Sequence, residues 1–274
     1  MNTSANSGLI QAVVFDWAGT IVDYGSFAPT KVLIQAFAER GVAVSLAEAR
    51  VPMGLPKWDH IQALGALPGV ARRWQERYGR AFTREDVDAI YARFLPLQNE
   101  YIAEYSGVIP GVLEVLDGLR ARGIRTGGSS GYPRAVMGKL ESCARDQGLR
   151  LDHTVAGDDL KPGGRPGPWM ALANVIELGV RDVAACVKVD DTEPGIIEGL
   201  GAGMWTVGVA LSGNETGLTL DEVNALPEAE RRSRQEAAGA RLMGWGAHYV
   251  IATVAELPAV LEQIEARLAA GERP

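Results

Sequence analysis

The chain has 274 residues, 47% of them hydrophobic, which allows one large domain or a core with a smaller second domain and suits a globular protein with a sizeable core. Its formal net charge of −7 argues against binding to nucleic acid or to an anionic membrane surface, because both favour basic proteins. No apolar run approaches the roughly eighteen residues of a membrane-spanning helix.

The start of the chain and its two cysteines predict the compartment. Residues 1–10 lack the charged start and the apolar stretch of a signal peptide. Cys143 and Cys186 stand far apart in apolar surroundings, so we expect two buried free thiols rather than a disulfide. We therefore expect a cytoplasmic protein without membrane or nucleic-acid partners.

Short apolar runs alternate with longer helical segments, which predicts an α/β fold with a Rossmann-like parallel sheet and crossover helices. The predicted strands are Ala12–Phe15, Arg125–Gly127, His153–Ala156, Ala184–Val189, Trp205–Val209 and Tyr249–Ala252. Their Val, Ala and Ile content suits strands that are covered on both faces. The predicted crossover helices are Pro110–Arg122, Pro133–Gln147, Pro166–Leu178 and Glu193–Ala202.

Between about Ser26 and Tyr105 only helices are predicted, which indicates an all-helical cap inserted into the core. The predicted cap helices are Thr30–Arg40, Leu46–Gly65 with breaks near Pro52 and Pro56, Gly69–Tyr78 and Thr83–Tyr105. The predicted domains are a core of residues 1–25 and 106–274 and a cap of residues 26–105. The charged stretch Thr219–Arg241 predicts a solvated surface helix.

The first motif follows the first predicted strand. Asp16 stands at the strand end, and Gly19 and Thr20 allow a tight turn whose backbone N–H groups can face an anion. A carboxylate at such an end can attack phosphorus and form an aspartyl phosphate, although a lone Asp there is more often a cap. This arrangement resembles the nucleophile loop of the haloacid dehalogenase superfamily.

Two further motifs follow later strands. Ser129 precedes a helix, where hydroxyl and N–H groups can bind phosphate, and Arg165 opens the next predicted helix as a fixed cation. Asp190 and Asp191 follow the strand Ala184–Val189, and paired acids suit Mg²⁺. By resemblance, Ser129 and Arg165 bind phosphate.

The metal site implied by the resemblance combines Asp16, the backbone carbonyl of Ala18 and Asp191. Many members of the superfamily carry another acid four residues after the metal-binding aspartate, where this chain has Gly195. Asp190, Glu193, Glu198 or a water must then compensate.

Phosphatases of the superfamily use a second aspartate as general acid and base, two residues after the nucleophile. Ala18 holds that position here and cannot transfer a proton. Either catalysis is absent or another residue supplies it.

Lys57 is the candidate replacement. It is one of only five lysines, it has apolar neighbours in the predicted cap, and His60 follows it on the same helical face. Once its pKa is lowered, a lysine can attack a carbonyl and form an imine, which serves as an electron sink. A phosphonate with a β-carbonyl needs such a sink rather than an acid, so Ala18 is no loss for that chemistry.

Several segments together resemble the phosphonoacetaldehyde hydrolase family within the superfamily. They are Asp16–Gly25, Met53–Leu55 with Lys57 and Asp59-His60, Ser129–Tyr132, Gly164–Pro166, Pro168–Met170 and Lys188–Asp191. The resemblance implies Mg²⁺-dependent cleavage of phosphonoacetaldehyde to acetaldehyde and phosphate, in degradation of 2-aminoethylphosphonate. It also implies a homodimer formed through the caps.

The resemblance implies three groups of site residues. The catalytic residues are Asp16, Lys57 and His60, the substrate- or phosphate-binding residues are Ser129, Arg165, Met53 and Tyr132, and the metal ligands are Asp16, Ala18 and Asp191. Two alternatives stay open. One is a phosphate-ester hydrolase or phosphomutase on the same fold, which Ala18 disfavours. The other is a binding or regulatory module that has lost catalysis, which the intact Asp16, Ser129, Arg165 and Asp191 disfavour.

Overall fold

The computed structural model describes residues 9–274, and its centre is one sheet of six parallel strands. The strands are β1 (Ala12–Phe15), β2 (Arg125–Ser129), β3 (His153–Val155), β4 (Cys186–Asp190), β5 (Trp205–Val209) and β6 (Tyr249–Ile251). All six were predicted, with small shifts at their ends. β4 begins at Cys186 rather than Ala184, because Val183–Ala185 form a 3-10 turn in which the Asp182 side chain accepts a hydrogen bond from the Ala184 N–H.

The strand order β3-β2-β1-β4-β5-β6 places the first strand at the centre of the sheet. Phe15 of β1 is level with Gly128 of β2 and with Val189 of β4. Asp16 and the last residues of β2 and β4 therefore meet at one edge of the sheet, where ligands bind in open α/β folds.

The central strand is buried on both faces. Val13 and Phe15 pack into the larger apolar cluster, whereas Ala12 and Val14 pack into a second cluster with Cys186. Alternate side chains of a strand point to opposite faces, so this division confirms the expected helix cover on each side.

Twelve α-helices lie within residues 9–274. They are α1 (Ala28–Ala38), α2 (Leu46–Arg50), α3 (Lys57–Ala66), α4 (Pro68–Tyr78), α5 (Arg84–Tyr101), α6 (Val112–Ala121), α7 (Arg134–Asp146), α8 (Trp169–Glu177), α9 (Glu193–Ala202), α10 (Leu220–Ala225), α11 (Glu228–Gly244) and α12 (Leu257–Ala269). The chain breaks between α2 and α3 at the predicted prolines, since proline disrupts a helix interior.

Helices α1 to α5 follow one another between β1 and β2, as predicted for the inserted segment. Capping boxes begin α2 and α5, formed by Ser45 with Glu48 and by Thr83 with Asp86. An aromatic cluster, in which the Trp74 ring lies 4.7 Å from that of Phe82, gives this segment apolar packing of its own. Its division into a cap domain stays a prediction, and residues 1–8 of the predicted core lie outside the described chain.

Three smaller predictions concern the surface and the cysteines. The charged stretch forms α10 and α11, whose solvated face carries ion pairs such as Arg232 with Glu228. Both cysteines are free, but Cys143 is half-buried rather than buried. Among the described residues, no helix combines the length and the apolar character that crossing a bilayer requires.

Candidate active site

The loop after β1 fixes Asp16 at the sheet edge. The backbone N–H of Asp16 donates to the carbonyl of Val189, at 2.9 Å, so the loop continues the ladder between β1 and β4. Gly19 has φ of +87°, and a Cβ at this position would lie 2.3 Å from Oδ2 of Asp191. Only glycine allows this turn to approach the acidic cluster so closely.

A buried ion network lies directly behind Asp16. The Arg165 guanidinium is 2.7 Å from Oδ1 of Asp16, 3.1 Å from Oδ2 of Asp190 and 2.8 Å from Oε2 of Glu198. The Lys188 ammonium lies 2.7 Å from Oδ2 of Asp190 and 3.5 Å from Oε2 of Glu198. Two cations therefore hold three carboxylates in a region closed to water.

Asp16, Asp190 and Asp191 form a cluster in which one carboxylate oxygen from each residue lies within 4.8 Å of the other two. Burial and the neighbouring Asp190 raise the pKa of Asp16 to about 6, although Arg165 opposes this shift. Burial, Asp16 and Asp190 raise the pKa of Asp191 well above its usual range. Burial alone would raise the pKa of Asp190, but Arg165 and Lys188 outweigh it and lower that pKa.

The free electron pairs of this cluster belong mainly to Asp16 and Asp191. Asp190 already accepts hydrogen bonds from Lys188 at Oδ2 and from the Thr192 N–H and hydroxyl at Oδ1. Asp191 accepts from the Thr20 hydroxyl, at 3.2 Å, and from the Asn214 N–H, at 2.7 Å, and pairs with no described cation. The donor set and its excess negative charge fit a hard divalent cation.

Position 195 has no room for an acidic side chain. A Cβ on Gly195 would lie between 1.9 and 2.2 Å from the carboxylate atoms of Asp190. Glu193 is exposed, and Glu198 accepts from Arg165 and from the Ser129 hydroxyl. Of the acids considered for this role, only Asp190 belongs to the cluster.

The two serines after β2 face different surroundings. The Ser129 hydroxyl is fully buried, donates to Glu198 at 3.1 Å and lies 3.1 Å from the Arg165 guanidinium. Ser130, rather than Ser129, lines the cavity beside Asp16. The position of Ser129 therefore supports a role in holding Arg165, not the predicted contact with phosphate.

That cavity lies between the helical segment and the sheet edge and measures about 20 Å³, room for about one water molecule. Both parts of the chain line it, with Asp16, Ala18, Met53, Lys57, Ser130, Tyr132 and Arg165 among the lining residues. A Cβ on Gly54 would lie 2.4 Å from the Thr192 hydroxyl oxygen, so the loop before Lys57 sits directly on the core.

Lys57 is the first residue of α3 and is 5% exposed. Its ammonium lies 5.2 Å from the centre of the Tyr132 ring and forms no ion pair with any carboxylate in residues 9–274. Burial lowers the pKa of Lys57 to about 8, which Asp16 partly opposes. The structure thus brings a poorly solvated amine to the same cavity as Asp16.

His60 lies one turn after Lys57 and is fully buried. Its Nε2 lies 2.9 Å from the Ala49 carbonyl and therefore carries the hydrogen, whereas Nδ1 has no hydrogen-bond partner among the described residues. Burial and then Lys57 lower the pKa of His60 well below its usual value. A neutral imidazole adds no positive charge that would compete with Lys57.

From the sequence, Glu198 was one candidate to support the metal, whereas Lys188 and Asn214 had no assigned role. A lysine in the middle of an apolar strand must find a buried partner, which was a signal for Lys188. The contacts of Glu198 with Arg165 and Ser129, and that of Asn214 with Asp191, left no signal, since these partners lie far away in the chain.

Comparison with known proteins places these observations in a family. Residues 10–203 match the model of the haloacid dehalogenase-like hydrolases. The chain is 57% identical to a phosphonoacetaldehyde hydrolase of Klebsiella pneumoniae, over 97% of this chain and 99% of that protein. It is 59% identical to one of Vibrio cholerae, over 97% and 98%. A crystal structure of a phosphonoacetaldehyde hydrolase-like protein from Oleispira antarctica superposes with a TM-score of 0.96 at 44% identity, covering 98% of this chain and 97% of that one.

The close contact at Gly195 predicts a strong effect of the smallest side chain. Gly195→Ala should lower the free energy of unfolding by roughly 3 kcal/mol, because it displaces Asp190 from its buried cations. Urea unfolding measures the change. Gly138→Ala is the matched control, since nothing lies within 4 Å of its Cβ position on the exposed side of α7, and it should stabilise by roughly 0.5–1 kcal/mol. Equal changes in the free energy of unfolding of the two variants would contradict the claim that a side chain at 195 displaces Asp190.

The buried amine predicts a stability change that depends on pH. The folded pKa of Lys57, about 8, lies below the unfolded value of 10.5, so the charged form costs folding free energy below pH 8. That cost declines between pH 8 and 10.5. Lys57→Met should therefore raise the free energy of unfolding by about 3 kcal/mol at pH 7 and by little near pH 10.5.

Urea titrations of the Lys57→Met variant at the two pH values measure this difference. The exposed Lys161→Met is the control and should show no comparable dependence. A loss of stability at pH 7 in the Lys57 variant would count against a destabilising buried charge.

Proposed function

Because the chain belongs to the phosphonoacetaldehyde hydrolase family of the haloacid dehalogenase-like hydrolases, we propose that it cleaves the carbon–phosphorus bond of phosphonoacetaldehyde, giving acetaldehyde and phosphate. One observation carries the proposal above all others. The Lys57 amine lines the same cavity as Asp16, beside an Ala18 that has no proton to give. A carbon leaving group needs an electron sink, which this amine can form.

In the proposed reaction Lys57 condenses with the aldehyde, and water leaves as the protonated imine forms. Asp16 attacks phosphorus, and the electron pair of the carbon–phosphorus bond moves into the imine to give an enamine. Protonation and hydrolysis of the enamine release acetaldehyde and regenerate the amine. Water cleaves the aspartyl phosphate to free Asp16.

We place the phosphonate against Arg165, which already contacts Asp16 at 2.7 Å and so lies beside the attacking oxygen. The Ser130 hydroxyl and the backbone of Gly131 complete this side of the cavity. Ser130 replaces Ser129 as the proposed phosphate-binding hydroxyl. Ser129 then acts indirectly, through its contacts with Arg165 and Glu198.

We further propose that Asp16, Asp191 and the backbone carbonyl of Ala18 hold Mg²⁺, which would offset negative charge on the cluster and the phosphonate. Asp190 stays paired with Lys188 and orients the site. The support is the buried Asp191, which has no cationic partner among the described residues and an unfavourable charge until one arrives.

His60, Met53 and Tyr132 have proposed supporting roles around Lys57. The Tyr132 ring covers the amine, Met53 excludes water from the cavity, and His60 offers the unpartnered Nδ1 as a hydrogen-bond acceptor. A role in 2-aminoethylphosphonate degradation, a homodimer formed through the caps and a cytoplasmic location remain predictions.

The two alternative functions fit the site less well. Phosphate-ester hydrolysis or phosphomutase chemistry needs a proton for a leaving oxygen, and position 18 carries only a methyl group. A binding module without catalysis would have no reason to keep a poorly solvated lysine over the nucleophile, where its charge is costly.

Borohydride reduction in the presence of phosphonoacetaldehyde tests the imine. We expect loss of activity and a reduced adduct on the peptide that contains Lys57, because reduction makes the carbon–nitrogen bond permanent. Lys57→Arg keeps the charge but cannot form an imine, so turnover should fall at least about 10³-fold without an adduct.

Lys161→Arg is the matched control and should keep both the activity and the adduct. Without phosphonoacetaldehyde, borohydride should leave the activity of the enzyme unchanged. An adduct elsewhere, or near-normal turnover of Lys57→Arg, would exclude the proposed mechanism.

The neighbouring serines offer a paired test of phosphate binding. Ser130→Ala should weaken competitive inhibition by inorganic phosphate about tenfold with little change in stability, because its hydroxyl lines the cavity. Ser129→Ala should instead lower the free energy of unfolding by roughly 1 kcal/mol, since it removes one hydrogen bond to the buried Oε2 of Glu198, which keeps its contact with Arg165. The inhibition constant and urea unfolding measure the two effects, and the reverse pattern would restore Ser129 to the phosphate site.

A further inference from the structure

Arg50, at the end of α2, connects the helical segment to two loops of the core. Its Nη1 donates to the Gly25 carbonyl, at 2.7 Å, and to Oδ1 of Asn214, at 3.1 Å. Its Nη2 donates to the Gly217 carbonyl, at 3.3 Å. The residue thus joins the cap, the connection between β1 and α1, and the loop after β5.

This guanidinium is held by neutral acceptors alone. It is half-buried, forms no ion pair with a carboxylate in residues 9–274, and lies 4.9 Å from the centre of the Phe27 ring. A Cβ on Gly217, where φ is +62°, would lie 2.9 Å from its Cζ. The loop therefore closes tightly around a charge that water would otherwise solvate.

The same loop holds the proposed metal ligand Asp191. The Asn214 N–H donates to Oδ2 of Asp191 at 2.7 Å, while the Asn214 side chain accepts from Arg50. A Cβ on Gly213 would lie 2.4 Å from Cβ of Asp191. The backbone of Asn214 thus binds the acidic cluster, while its side chain binds Arg50 of the cap.

The cavity of about 20 Å³ has room for about one water molecule, so we expect the helical segment to move away from the sheet edge when substrate enters. Such a movement would separate Arg50 from Asn214 and Gly217 of the core. The contacts of Arg50 would then be broken and remade in every catalytic cycle.

We propose that Arg50 is a positioning residue that couples closure of the cap to the orientation of Asp191, with Asn214 as the intermediate. The inference rests on the proposed metal site. Because coupling is reciprocal, closure strengthens metal binding and the metal strengthens closure by the same factor. The closed cap then assembles the amine and the metal ligands together.

Calorimetric titration of the substrate-free protein with Mg²⁺ tests the coupling. Arg50→Gln and Asn214→Ala should each raise the Kd by about fivefold or more, and the double variant should bind no more weakly than either single variant. Arg50→Lys keeps the charge but has fewer hydrogen-bond donors, so its Kd for Mg²⁺ should lie between those of the wild type and Arg50→Gln. Arg93→Gln, which removes an arginine paired with Glu39 inside the cap, should bind Mg²⁺ as the wild type does.

Hydrogen exchange supplies a second measurement. Mg²⁺ should slow exchange in residues 23–27 of the wild type and of Arg93→Gln, but not of Arg50→Gln. Thermal unfolding identifies any variant that has lost its fold, and Arg50→Lys then replaces Arg50→Gln in the comparison.

The outcomes separate the two proposals. Wild-type Mg²⁺ affinity in both Arg50→Gln and Asn214→Ala would overturn the coupling while leaving the proposed reaction in place. Additive losses in the double variant would also overturn it, since the two residues would then act independently. A wild-type protein that binds no Mg²⁺ would overturn the metal site and the coupling together, and borohydride trapping would still report on Lys57.

Discussion

The buried guanidinium of Arg165 is the interaction on which the rest of the site depends. It contacts Asp16 after β1, Asp190 at the end of β4 and Glu198 in α9. Carboxylates that are taken out of water cost several kcal/mol each unless a cation and further hydrogen bonds compensate them. Lys188 supplies the second cation from within β4, where a charged side chain is stable only because two of these carboxylates lie beside it. Asp16 is therefore fixed in place before any ligand binds.

The two cations of the network do not neutralise all the carboxylates at the sheet edge, and the remaining negative charge has consequences for function. Asp191 lies next to two other carboxylates with no described cationic partner, so the sheet edge is prepared for a positive ion. On the opposite wall of the cavity, Lys57 pays a desolvation cost that shifts it toward the free amine. The sheet edge and the helical segment each carry an unfavourable charge state that the other partly relieves, and that the proposed substrate and metal would relieve further.

Much of this arrangement can be predicted from the sequence, because its signals are local. The strand β1 and the loop at Asp16, the breaks around Pro52 and Pro56, and the scarce Lys57 stand out from pattern and composition. The choice between Ser129 and Ser130 does not, since adjacent residues at a strand end point to opposite sides and only the surrounding fold decides which side is the cavity. The partnership of Ser129 with Glu198 spans 69 residues and leaves no trace in either local pattern. The fold and the position of Asp16 were thus accessible from the sequence, whereas the contacts that support the site were not.

The close packing at position 195 also makes two positions of the chain interdependent. The Asp190 carboxylate occupies the space that a side chain at 195 would need. A side chain at 195 alone would displace Asp190, and loss of the Asp190 carboxylate alone would remove one ion-pair partner from both Arg165 and Lys188. The effect of a substitution at either position therefore depends on the residue at the other, so positions 190 and 195 form an epistatic pair in the core.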